Sequence, residues 1–212
     1  MINHIVPFFP NTKDNTHCFQ ASLKMVLKYF LPHEEYTFEE LDKITAKVKG
    51  LWTWPMAGLM WMNKKGFDIK KIQKFDYKEF SEKGDKYLFS FYGDEVAKAQ
   101  IAHSDIAQEI ELAKKITKEI GIQVKIPNLQ EIVKFLDKGY LVGCNLNSYA
   151  LNNKEGYSGH FVVIKGYDTN TLILNDPGLP GEENRRVDFV NFEKAWAYPN
   201  ETAKNITAFK LN

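Results

Sequence analysis

A cysteine at the head of an apolar helical stretch, with a histidine and an aspartate far downstream, are the residues of this 212-residue chain whose types and positions could do chemistry. Cys18 sits near the start of THCFQASLKMVLKYF, residues 16–30. A thiol in the first turn of a helix lies beside unpaired backbone N–H groups and the positive end of the helix dipole, and both favour thiolate over thiol. His160 opens the β-branched run HFVVI, and Asp176 ends LILND just before Pro177, which stops the strand there. Residue 168 lies midway between them, inside the turn Asp168-Thr169-Asn170. Antiparallel pairing of the two runs would therefore set both side chains at one end of a hairpin on one face; a slip of one residue would present Asn175 instead. A carboxylate beside an imidazole fixes its tautomer and supports the imidazolium. Taken singly, Cys18 reads equally well as a structural cysteine and His160 as a strand-end histidine bonded to a neighbour. Together they describe a thiol nucleophile, its base and the orienter of that base, the apparatus of acyl transfer through a thioester.

The elements that must position these groups follow from periodicity. Apolar residues recur every three and four positions from Ala21 to Phe30, with Thr16 as the expected cap and Leu31-Pro32 as the stop. Thr37 with Glu40 forms a capping box for a second helix, and Trp54-Pro55 opens a third that Gly66 closes. Residues 76–121 predict about two helices split near His103-Ser104-Asp105, each with one apolar stripe, an insertion placed to border or cover the site. Asn128 with Glu131 caps a further helix. The pattern then changes to strands: YLVGCNLN, HFVVIKGY, LILND, RVDFV and ITAFKL. Helices first and strands later predict an α+β fold in one domain, residues 1–212.

Composition narrows the function. With 44% apolar and 26% charged residues the chain can bury a core, and 28 basic against 27 acidic residues leave no basic surface for nucleic acid. The cluster Asn184-Arg185-Arg186 reads as solvated surface. LWTWPMAGLMWM is too short and interrupted for a membrane span, so a cytoplasmic protein is expected. Two cysteines without a CxxC predict no disulfide framework, and Cys, His and Asp without a fourth ligand at motif spacing predict no metal or other cofactor. Cys144 reads as core, as do Met56, Met60 and Met62; Trp61 and Trp196 read the same way, while Trp52 and Trp54 could line a groove. His17 is a poor base for its neighbour, and Gln20 is expected at solvent or in local packing.

Four stretches carry a resemblance. VPFFPN at 6–11, the helix holding Cys18, GHFVVIKGYD and LILNDPG resemble the papain-like cysteine peptidases, specifically the family-thirty-nine-like branch that includes bacteriocin-leader-processing peptidases. The separation of Cys18 and His160 (160 − 18 = 142) falls within the roughly 130–150 residues of papain-type enzymes. The resemblance implies a papain-like fold, a helical half carrying the nucleophile packed on an antiparallel sheet. It also implies peptide or other acyl substrates and hydrolysis by a Cys18/His160/Asp176 triad. Asn11 replaces the family's oxyanion Gln, shorter by one methylene, with Asn15 as the alternative donor, and Phe19 replaces the usual Gly after the nucleophile. The same triad would serve an acyltransferase or amidase, and the two replacements would also suit a catalytically silent peptide-binding module.

Overall fold

Alternation along the middle strands of one sheet creates two cores, one on each face. The computed structural model describes residues 1–212. In chain order the elements are β1 (Ile2–Asn3), α1 (Cys18–Phe30), α2 (Phe38–Ile44), α3 (Met56–Lys64), β2 (Phe67–Gln73), α4 (Tyr77–Lys83), α5 (Asp85–Tyr92) and α6 (Asp94–His103). There follow α7 (Ile106–Glu119), β3 (Ile122–Val124), α8 (Leu129–Asp137), β4 (Leu141–Asn147), the one-turn α9 (Ser148–Leu151), β5 (Gly159–Tyr167) and β6 (Thr171–Asp176). The chain finishes with β7 (Glu182–Asp188), α10 (Phe189–Trp196) and β8 (Asn205–Leu211). The sheet runs β3-β2-β8-β4-β5-β6-β7, with β1 added to the far end of β5; every pairing is antiparallel except β2 with β3.

Phe161 and Val163 of β5 join α1 to α7 in the larger core, while Val162 and Ile164, pointing the other way, join α8, α9 and α10 in the smaller. Helix α1 is registered on β5 by the buried Ser22 hydroxyl, which donates to the Phe161 carbonyl at 3.3 Å. Gly143 of β4 makes room for the Phe161 ring, since a Cβ there would lie 2.3 Å from its Cζ.

Both predicted capping boxes form, Thr37 with Glu40 and Asn128 with Glu131, and Pro55 stands immediately before α3. Thr16 does not cap α1: the helix starts at Cys18, and the Asn11 side chain accepts from His17 N–H at 2.8 Å instead. Helices and strands are also less segregated than predicted, because β2 lies between α3 and α4. Its sequence FDIKKIQ hides the strand behind Lys70 and Lys71, yet Lys71 is buried, with its ammonium on Thr207 Oγ1 at 2.9 Å. The run RVDFV divides: Asp188 ends β7 and caps α10 by accepting from Asn191 N–H.

Residues 76–121 hold four helices, not two. The break at Ser104 is as predicted, but Gly84 and Gly93, at φ 55° and 77°, add two more. Nor does the segment rest on isoleucine stripes alone: Phe80, Tyr87, Leu88 and Val96 are buried, and Phe80 stacks on Trp54 with ring centroids 5.1 Å apart. One buried carboxyl belongs here. Glu109 of α7 has Oε2 without a partner, and burial first, then the nearby Asp105, push its pKa up to about 8. The native state thus keeps a proton that the unfolded chain releases near 4.5, so stability falls as pH rises between those values. Glu109→Gln is expected to raise Tm by roughly 5 °C at pH 8 and by much less at pH 5. Calorimetry at the two pH values checks this, and an equal change at both would contradict it.

Candidate active site

Helix α1 and the β5–β6 hairpin meet at their ends, and there the structure brings Cys18, His160 and Asp176 together. Asn175 lies opposite Val163, so the ladder continues to set Asp176 beside Val162. His160 is then a diagonal neighbour of Asp176 on one face. The register differs by two residues from one centred on residue 168, and a shift of two preserves the face. Asn175 turns the other way and donates to the Val6 carbonyl at 3.2 Å.

His160 Nε2 is 2.6 Å from Asp176 Oδ1, and both residues are buried. The same oxygen accepts from Gly178 N–H at 2.9 Å, while Oδ2 accepts from Arg185 Nη1 at 2.8 Å. Arg185 is itself held by the Leu151 carbonyl and Asn152 Oδ1. Expected as solvated surface, it is instead a clamp on the carboxylate. Its signal in the sequence was weak, a basic residue alternating outward on a polar strand, and only the β6–β7 pairing shows which face it shares with Asp176. Burial opposes the charge on Asp176, but the imidazole, Gly178 N–H and Arg185 hold its pKa down at about 2.

His160 also stands beside Cys18, a partly buried free thiol, and the two line one cavity. Burial pushes the thiol up, and the hydrogen bond and charge of His160, with backbone N–H groups of Phe161 and Phe19, bring it below its ordinary value. Burial likewise disfavours the imidazolium, yet Asp176 and Cys18 raise the His160 pKa. Both directions favour a thiolate–imidazolium pair. Cys144, by contrast, is fully buried in β4, and burial raises its pKa far above the ordinary thiol value.

Asn11 is buried next to the helix start. Its Nδ2 donates to Asn15 Oδ1 at 3.1 Å, and its Oδ1 takes the N–H groups of Thr12 and His17. The two candidate donor amides are thus bonded to each other. His17 points away, to Thr12, Asp14 and Asp42. Gln20 is not at solvent: it is fully buried, with Nε2 on Thr45 Oγ1 and Thr53 Oγ1 at 2.8 and 2.9 Å. Phe19 turns inward, 1% exposed and edge-on to Phe161.

Beside Cys18 and His160 opens a cavity of about 110 Å³. Trp52 and Trp54 line it, together with Tyr77, Tyr92 and Gln100 of the helical segment and Asn145 and Asn205 of the sheet. Trp54 Nε1 donates to Gln100 Oε1 and Ser104 Oγ, both at 3.1 Å, and Gln100 Nε2 donates to Tyr157 Oη at 3.0 Å. The segment 76–121 therefore borders the site, as its position in the chain predicted.

A model of the Peptidase_C39 like family matches residues 3–204. Among solved structures, the peptidase domain of Streptococcus ComA, a bifunctional ABC transporter of a quorum-sensing pathway, superposes with a TM-score of 0.52 at 15% identity, covering 97% of this chain and 98% of that one. A double-glycine-motif protease from an AMS/PCAT transporter, solved with a leader peptide, gives 0.50 at 15% identity over 99% and 94%. A C39-like peptidase of Bacillus anthracis gives 0.51 at 20% identity over 99% and 96%. These likenesses establish the papain-like fold. The uncharacterized protein YvpB of Bacillus subtilis (strain 168) is 50% identical over 40 residues, 19% of this chain and 15% of that protein's length. No helix is long and apolar enough to cross a membrane.

Proposed function

We propose, since this chain belongs to the Peptidase_C39 like family, that it is a cysteine peptidase cutting a peptide or amide bond with Cys18, His160 and Asp176. The observation that carries the reading is His160 standing between the thiol and a clamped carboxylate. In this mechanism the Cys18 thiolate attacks the scissile carbonyl carbon, and the C=O electron pair moves onto oxygen. The imidazolium of His160 then protonates the leaving nitrogen as the C–N bond breaks, giving a thioester. Neutral His160 next takes a proton from water, whose oxygen displaces Sγ and releases the acid. The oxyanion is met by the Cys18 backbone N–H, which as a first-turn group has no intrahelical acceptor, and by the second amide hydrogen of Asn11. Losing one such donor typically costs about 3–4 kcal/mol of barrier.

Phe19 packs into the core and so does not block the approach to Sγ, which favours an active enzyme over a silent module. The reading includes a single catalytic domain with residues 76–121 as its insertion, and two free thiols suit the reducing cytoplasm. It is tested by alkylation. Iodoacetamide at pH 6–7 should modify Cys18 at least ~100-fold faster than Cys144, because only Cys18 has its pKa lowered. His160→Ala should slow the Cys18 reaction and steepen its rise with pH. Equal labelling of the two thiols, or no effect of His160→Ala in a folded variant, would overturn the assignment.

A further inference from the structure

We propose that the cavity beside Cys18 is a specificity pocket for one neutral aromatic side chain, tyrosine foremost, on the acyl side of the scissile bond. The proposal rests on the peptidase reading and adds a substrate class to it. Its first ground is the lining. Trp52, Trp54, Phe75, Tyr77, Tyr92 and Tyr157 supply ring faces and edges, and no Asp, Glu, Lys or Arg side chain reaches the cavity. An aromatic guest gains edge-to-face contacts there, whereas a charged one loses its hydration with no counter-charge beyond Cys18 and His160, which are paired with each other.

The second ground is a polar group left for the guest. Asn145 commits its backbone N–H and C=O to the Asn205 carboxamide at 2.8 and 2.9 Å, while its own carboxamide lines the cavity without a partner in the protein. A phenol hydroxyl both donates and accepts, and so fits an amide that offers both. The third ground is size. A volume of about 110 Å³ is several times the share of one water, room for a single side chain.

The acyl side follows from the order of events. The leaving amine must escape first, whereas the acyl part stays tethered to Sγ, and a pocket walled by both the sheet and the helices suits the part that stays. Gly159 lets two walls of the cavity approach the strand: a Cβ there would lie 3.0 Å from Tyr157 Oη and 3.4 Å from the Trp52 ring.

The test uses two series of dipeptidyl acyloxymethyl ketones, one varying the residue next to the ketone and one the residue before it, with Tyr, Phe, Lys or Glu at the varied position and Gly at the other. Intact-mass kinetics of Cys18 labelling are read on the full chain. In one series Tyr and Phe should react about 100-fold faster than Lys or Glu. Asn145→Leu should remove the preference for Tyr over Phe while Phe still reacts. Equal rates for all four in both series, or Lys fastest, would overturn the pocket assignment and leave the peptidase reading intact. If neither the ketones nor iodoacetamide modify Cys18, the peptidase reading fails. The pocket is then decided by calorimetry with N-acetyltyrosinamide against N-acetyllysinamide: tighter binding of the tyrosine amide supports it, and equal or weaker binding overturns it.

Discussion

Cys18→Ala is expected to lower kcat/KM on a cleaved peptide by at least ~10⁴-fold while leaving Tm within a few degrees of wild type. The side chain is only partly buried and forms no disulfide, so its loss removes the proposed nucleophile and little packing. Peptide affinity should survive, because binding depends on the cavity and its rim, which the substitution leaves in place. Steady-state kinetics, differential scanning calorimetry and titration of the inactive variant with peptide together check this. A variant keeping more than about a hundredth of the activity would mean that another group performs the attack, and Cys144, buried in β4, is not available for it.

Asp176→Asn should cost nearly as much, about 10³- to 10⁴-fold in kcat, and the reason lies in Arg185. Each carboxylate oxygen faces donors: Oδ1 meets His160 Nε2–H and Gly178 N–H, and Oδ2 meets the guanidinium. An asparagine must turn its NH₂ toward one side. Facing a full positive charge is the worse choice, so the amide nitrogen turns to His160 and makes Nε2 an acceptor. The proton then sits on Nδ1, the edge that serves Cys18, where a base must be bare. Adding Arg185→Met removes the constraint, lets the amide flip, and should recover part of the rate. If Asp176→Asn is nearly as active as wild type, or the double variant is no faster than the single one, the clamp does not set the tautomer.

Much of this was legible in the chain. Thr37 with Glu40 and Asn128 with Glu131 announced two helices because a capping box is a local device, complete within four residues. The hairpin joining His160 to Asp176 was legible for a similar reason, since alternation fixes the face even where the register is two residues off. What failed was non-local. FDIKKIQ does not read as a buried strand, because Lys71 is burial-compatible only when Thr207, far along the chain, supplies an acceptor. Gln20 was expected at solvent or in local packing, and the partners that bury it, Thr45 and Thr53, lie 25 and 33 residues away. Arg185 became part of the site only through the pairing of β6 with β7. Asn11 was singled out by resemblance to a motif, and its bond to His17 N–H shows a tethering role that no spacing rule would suggest.

The place of β8 bears on how the molecule comes into being. It follows every other strand in the chain, yet it sits inside the sheet, pairing with β2 on one side and β4 on the other. Without residues 205–211 the facing edges of β2 and β4 have no strand between them, and contacts such as Phe67 with Leu211 close a very long loop. β8 thereby ties β2 to β4, while α1 meets β5 directly through Ser22 on the Phe161 carbonyl. The continuity of the sheet from β2 to β4 thus rests on contacts of very long sequence separation, so their pairing is expected to come late in folding.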